Sequence, residues 1–217
     1  MDPIFITGIG TGIGKTLVSA IIVEAIQADY WKPVQAGFAE GTDTEWIKTI
    51  ITNKQSRVHP ELYILKLAVS PHIASKEEGV HISIQNIYDE YMRLLKNKPE
   101  PGSSELLIEG AGGLLVPLNK NEFVIDLAEK LNARVILVSR NYLGSINHSL
   151  LTAQICKQRN LNVIGWIFND QYLQYEDEIC NWSGYQKIAS IPRLEMIDRD
   201  NIATQALRLR NNLVSIL

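Results

Sequence analysis

Apolar runs of strand length alternate with amphipathic stretches of helical period along most of the chain. The run PIFIT at residues 3–7 predicts a strand, and the pattern from Lys15 to Ala28 predicts the helix after it. A short strand YWKPV follows at 30–34, and three more strands are expected in ELLIEG at 105–110, RVILVS at 134–139 and NVIGWIF at 162–168. Each precedes a helix-compatible stretch, such as SINHSLLTAQICKQR at 145–159. A further helix is expected to begin near Asp43. The segment KNKPEPGSSE at 96–105 reads as a surface loop, and residues 171–190 carry no clear pattern.

Near-continuous apolar strands alternating with helices predict an α/β fold: a doubly wound, mostly parallel sheet with helices on both faces, arranged as three αβα layers. Right-handed crossovers would set the C-terminal ends of the strands along one edge, where open α/β sheets bind ligands. With 217 residues, 46% of them hydrophobic, and no internal repeat, residues 1–217 are expected to form a single domain. The net charge of −3, with scattered basic residues, argues against a nucleic-acid surface. The longest apolar stretch, Leu17 to Ile26, contains Glu24 and is shorter than the roughly 20 residues of a membrane span. Asp2 and Pro3 lead straight into a strand, so no leader is expected, and the two cysteines, Cys156 and Cys180, lack metal spacing. A soluble cytoplasmic protein with idle thiols is the expectation.

The densest chemistry lies in FITGIGTGIGKT, where Gly8, Gly10, Gly12 and Gly14 lead into Lys15 and Thr16 between a strand and a helix. In a phosphate loop, successive backbone N–H groups curl around an anion at a helix N-terminus, lysine reaches the outer phosphates, and the following hydroxyl ligates Mg²⁺. The spacing departs from the usual pattern, because Gly8 is one residue too far from Gly14 and Gly10 one too near. A dinucleotide fingerprint competes less well, for want of an acidic residue ending a second strand. Other polar residues fall where strands should end. Glu109 precedes a glycine loop, Lys32 is held extended by Pro33, and Asp43 is either a metal-directed carboxylate or the N-cap of its helix.

Together GIGTGIGKT, KPVQAG, EGAGGLLVP, NYLGSINHSLLTAQ and GWIFND resemble the dethiobiotin synthetase family, in order from residue 4 to about 170 and weakly beyond, through IASIPRL. That family shares the longer glycine spacing. The resemblance implies a homodimer that takes 7,8-diaminononanoate, CO₂ and ATP with Mg²⁺ as cofactor. One amine forms a carbamate, ATP phosphorylates it, and the second amine displaces phosphate to close a ureido ring. It further implies catalytic roles for Lys15, Lys32 and Thr11. Nucleotide contacts would come from Gly12, Ile13, Gly14, Lys15, Thr16, Leu17, Asp43, Glu109, Asn169, Asp170 and Pro192, with Asn169 reading the adenine edge. Thr16, Asp43 and Glu109 would hold the metal. Substrate contacts would come from Lys32, Ala36 and Gly112, and from Gly144, Ser145, Ile146 and Asn147 of the neighbouring subunit, whose helix N-terminus would meet the substrate carboxylate.

Two positions depart from the family's habit: an acidic residue is common where Gly12 stands, and a hydroxyl residue where Ala36 stands. Altered affinity, more than lost activity, is the expected effect. Asn147 and His148 also have plain readings, as helix cap and packed side chain, and a packing or loop-fixing role suits His72. The alternative function is an ATPase switch of the partitioning or septum-positioning type, but such proteins usually carry a second lysine early in the loop, where this chain has Ile9 and Gly10.

Overall fold

A computed structural model describes residues 2–97, 104–170 and 173–217. Nine strands and eight helices appear among them. The first half runs β1 (Ile4–Gly8), α1 (Lys15–Ile26), β2 (Asp29–Trp31), β3 (Val34–Ala36), α2 (Asp43–Ile50), β4 (Val58–His59), β5 (Tyr63–Leu65), α3 (Pro71–Glu77) and α4 (Ile84–Lys96). The second half runs β6 (Leu106–Glu109), α5 (Val124–Lys130), β7 (Arg134–Arg140), α6 (Ser145–Gln158), β8 (Asn162–Asn169), α7 (Glu176–Ser183), β9 (Lys187–Ile191) and α8 (Arg199–Ile216).

Seven strands form one parallel sheet in the order β4-β2-β6-β1-β7-β8-β9. After the edge strand β4 the chain returns to place β6 beside β1 and then runs out through β7, β8 and β9 to the other edge, so the direction of winding changes around β1, and the crevice outside its C-terminal end is the place where such sheets bind ligands. Alternation along the strands divides the core. Phe5, Trp31, Ile108, Leu137 and Phe168 pack toward α4–α7, whereas Ile4, Ile6, Tyr30, Leu107, Ile136 and Ile167 pack toward α1, α2 and α8. Each large side chain wholly withdrawn from water is worth about 1.5–3 kcal/mol, so both faces of the central strands stabilise the sheet. The same period of two places Glu109 and Lys32 on the α1 side, with Leu107 and Tyr30.

Several details differ from the sequence expectations. Helix α1 stops at Ile26, because Gln27 closes it in a left-handed conformation (φ 54°) and leaves Ala28 outside. The single strand expected at 30–34 is two: β2 joins the main sheet, while β3 pairs only with β5 in a separate parallel ladder. Pro33 lies between them and has no N–H to donate to a ladder. Thr42, not Asp43, caps α2, through a reciprocal pair of bonds between Thr42 and Glu45. Within 171–190, α7 and β9 are ordered elements. Most of the loop expected at 96–105 lies outside the described residues. No helix among the described residues is long and apolar enough to cross a membrane.

Candidate functional site

The glycine loop runs from the end of β1 to the start of α1. Gly12 and Gly14 have φ of 71° and 89°, a region that favours glycine. Gly14 is doubly constrained, because a methyl group on it would fall on Asn169 Nδ2. That amide, at the end of β8, donates to Ile13 O at 3.0 Å and braces the loop from the far side. Helix α1 has no side-chain cap, and its first internal bond is Val18 N to Gly14 O at 3.0 Å. The N–H groups of Lys15, Thr16 and Leu17 therefore have no partner within the helix. They make an anion-binding end. Lys15 Nζ turns back to donate to Gly10 O at 2.8 Å, and burial, with Lys32 acting in the same direction, lowers its pKa to about 8 against the pull of Glu109 and Asp43.

Glu109, at the end of β6, is the hub beside this loop and is 1% exposed. Its Oε2 accepts bonds from Ser19 Oγ at 2.8 Å and Tyr30 Oη at 3.0 Å. Its Oε1 accepts from Thr16 Oγ1 at 3.0 Å and lies 3.3 Å from Lys32 Nζ. Lys32 also pairs with Asp43, at the first position of α2. Burial alone would push the Lys32 ammonium down, but the charges and hydrogen bonds of Glu109 and Asp43 outweigh it and hold the group above the ordinary lysine value. Thus the Lys32 ammonium after β2 joins the start of α2 to the end of β6, and Glu109 ties both to the start of α1.

These groups stand in a cavity of about 760 Å³, walled by Thr11, Gly12 and Gly14 on the loop side and by Gly112 after β6. Ala36 and Gln35 line it from β3, and Ser70 and Pro71 from the start of α3. His72 holds that last corner, with Nδ1 2.9 Å from Ser70 Oγ and its N–H bonded to Pro117 O. This is the loop-fixing role expected of it. Gln35 Nε2 donates to Gly37 O at 2.6 Å, while Gln35 Oε1 is buried and has no hydrogen-bond partner.

Other expected residues lie elsewhere. Ile13 is core, and Leu17 packs partly against the core beneath α1, so only its backbone faces the anion end. Asp170 pairs with Arg140 at 2.6 Å. Pro192 follows β9 and is half-buried, and neither it nor Asp170 lines the cavity. Residues Gly144–Asn147 also lie outside its walls. Gly144, with φ 101°, caps α6; Ser145 is buried and its Oγ bonds to Tyr142 N and Tyr175 Oη, while Asn147 is exposed. Asn147 is therefore inside the helix, not its cap, and His148 reaches Tyr142 Oη through Nδ1 at 2.7 Å.

The donor set suits magnesium. The Glu109 carboxylate is bonded to the Thr16 hydroxyl and shares the Lys32 ammonium with Asp43, so two carboxylates and one hydroxyl are gathered around Glu109, and hard oxygen ligands of net negative charge favour Mg²⁺. Among the described residues no group of three or more His, Cys, Asp or Glu is placed to hold a metal ion. Sequence reasoning missed Ser19, Tyr30 and Gln35. Ser19 lies one turn beyond Thr16 and could have been found by helical spacing; for the other two the chain offers no local signal.

A family model described as an AAA domain matches residues 2–201. An ATP-dependent dethiobiotin synthetase from Cytophaga hutchinsonii is 46% identical over 98% of this chain and 98% of its own length. The protein of the same description from Christiangramia forsetii is 41% identical over the same shares. Among solved structures, the Pyrococcus furiosus cell-division ATPase MinD superposes with a TM-score of 0.59 at 13% identity, covering 100% of both chains. The MinC:MinD complex of Aquifex aeolicus gives 0.60 at 12% identity, covering 99% of this chain and 96% of that one. At such identities the structural likeness speaks for the fold alone.

Proposed function

The chain belongs to the ATP-dependent dethiobiotin synthetase family, a family of ATP-dependent ligases, and from that membership we propose that it closes the ureido ring of dethiobiotin from 7,8-diaminononanoate, CO₂ and ATP. One substrate amine adds to CO₂ and loses a proton, giving a carbamate. A carbamate oxygen attacks the γ-phosphorus and releases ADP. The second amine then attacks the carbonyl carbon, expels phosphate and gives up a proton, which completes the ring.

A carbamate and a nucleotide triphosphate repel one another, so the first requirement is positive charge between them. The observation that carries the proposal is the Lys32 ammonium, fixed between Glu109 and Asp43 at the junction of the phosphate loop and the cavity. Lys15 would leave Gly10 O and serve the outer phosphates, with the free N–H groups of the α1 start on the inner ones. Thr11, on the cavity wall, would add a hydroxyl to the terminal phosphate. Thr16, Asp43 and Glu109 would hold Mg²⁺, which supplies charge neutralisation at the phosphate oxygens. Ala36 and Gly112 would border the diamine, and Asn169 retains an amide oxygen and one N–H for adenine, with Asp170 next in sequence and Pro192 following Ile191, the β9 partner of Asn169.

The reading includes a homodimer. Leu143, 99% exposed just before α6, and the exposed Leu115 and Leu151 are apolar surface that a second copy would cover. Gly144–Asn147, outside this chain's own cavity, would then serve the partner's substrate carboxylate. The reading also includes the cytoplasm as its compartment, where Cys156 and Cys180 would stay free thiols. The test is to follow ureido product by mass spectrometry, with ADP and phosphate release, while omitting diamine or bicarbonate in turn. Product that needs both is the expected result. ATP hydrolysis indifferent to both but stimulated by DNA or lipid vesicles would replace this reading with the partitioning-type switch.

A further inference from the structure

Tyr30 has no part in the scheme above, yet it is wholly buried and touches the hub of the site. Its ring packs in the core beneath α1 and α2 and is not among the residues that wall the cavity. Its hydroxyl donates to Glu109 Oε2 at 3.0 Å. Ser19, equally buried, donates to the same oxygen. Oε2 of Glu109 is thereby occupied by two donors from the core, while Oε1 is left to Thr16 and Lys32 on the cavity side.

We infer that Tyr30 is a positioning residue: with Ser19 it clamps Oε2 of Glu109, fixing the carboxylate so that Oε1 alone is presented to the metal that accompanies the nucleotide. The inference rests on the assignment of Glu109 as a metal ligand under the proposed function. A carboxylate tethered by one oxygen cannot rotate to chelate with both, and it keeps its charge at the metal-facing atom. Outer hydrogen-bond partners of metal ligands commonly carry about 10- to 100-fold in metal affinity. Thr16 and Lys32 do not provide the clamp, because both act on Oε1, where the metal itself would bind.

The experiment uses the full chain with Tyr30→Phe and, separately, Ser19→Ala. Phenylalanine keeps the ring volume and removes only the hydroxyl. ATP binding is measured by calorimetry in EDTA and again across a Mg²⁺ titration, so that the metal's effect is separated from the loop's. The expected result is ATP affinity in EDTA unchanged within about twofold and a half-saturating Mg²⁺ concentration raised about tenfold in each variant. An unchanged Mg²⁺ midpoint in both variants overturns the clamp. Loss of ATP binding in EDTA to the same degree as in Mg²⁺ also overturns it, since the hydroxyl would then matter to packing and not to the metal. A parent protein whose ATP binding ignores Mg²⁺ defeats the metal assignment itself and the inference with it, whereas ring closure by that same protein would leave the proposed activity standing.

Discussion

Replacing Lys32 by methionine removes one charge and little volume from the centre of the site. The side chain is 9% exposed and pairs with Glu109, at 1%, and Asp43, at 32%. Breaking a buried ion pair costs about 3–5 kcal/mol when a charge is left uncompensated. Here the cost should fall at the lower end, because Asp43 reaches solvent and Glu109 retains bonds from Thr16, Ser19 and Tyr30. The catalytic loss should be of similar size for a different reason. A preorganised donor aimed at developing charge is worth about 2.7–4 kcal/mol, or about 10²- to 10³-fold in kcat. Lys15 and the start of α1 remain, so ATP should bind the variant within severalfold of the parent. The assay is steady-state ureido formation at saturating diamine and bicarbonate, at a temperature where both proteins are folded by circular dichroism. A kcat within tenfold of the parent would refute the electrostatic role, and a fall in ATP affinity matching the fall in rate would reduce Lys32 to a strut.

Gly14→Ala should abolish ATP binding, because the added methyl falls on Asn169 Nδ2 and the backbone has φ 89°; calorimetry in EDTA reads this directly. Asp29→Asn should destabilise the fold in a pH-dependent way. Burial opposes ionisation of Asp29, but the neighbouring His59 and the N–H of Arg57 more than compensate, so its folded pKa lies below the ordinary aspartate value. A depressed folded pKa means stability that is present above the unfolded value of about 3.9 and lost as pH falls through the folded one. The melting-temperature gap between parent and Asp29→Asn should therefore be widest near neutrality and close in acid, and a gap independent of pH would contradict the role of the ionised carboxylate.

The legible parts of the site were those whose signal is local. Gly14-Lys15-Thr16 after an apolar strand announces a phosphate loop because backbone freedom, helix start and side-chain chemistry are adjacent in the chain. Glu109 and Lys32 were found because strand ends face ligands in this class of fold. Thr42 could have been found as well, since Thr42 and Glu45 spell a capping box. The end of α1 was not legible, because a glutamine takes a conformation usually left to glycine or asparagine. Tyr30 was hidden for a deeper reason: its hydroxyl meets Glu109 only because β2 and β6, some eighty residues apart in sequence, are neighbours in the sheet. No window along the chain contains that pairing.

The ladder between β1 and β6 has its own consequence. Ile6 stands opposite Glu109, and Gly110 N closes the pairing on Ile6 O at 2.9 Å. Sliding β6 by a single position would turn Glu109 toward the wrong layer and bring Ile108 or Gly110 to its post, because orientation alternates at every step. One inserted amino acid within Leu106–Glu109 should therefore silence the protein even where it still melts cooperatively. The four-residue strand works as a ruler, and the zero mark of that ruler is set by hydrophobic packing well below the place where the chemistry would occur.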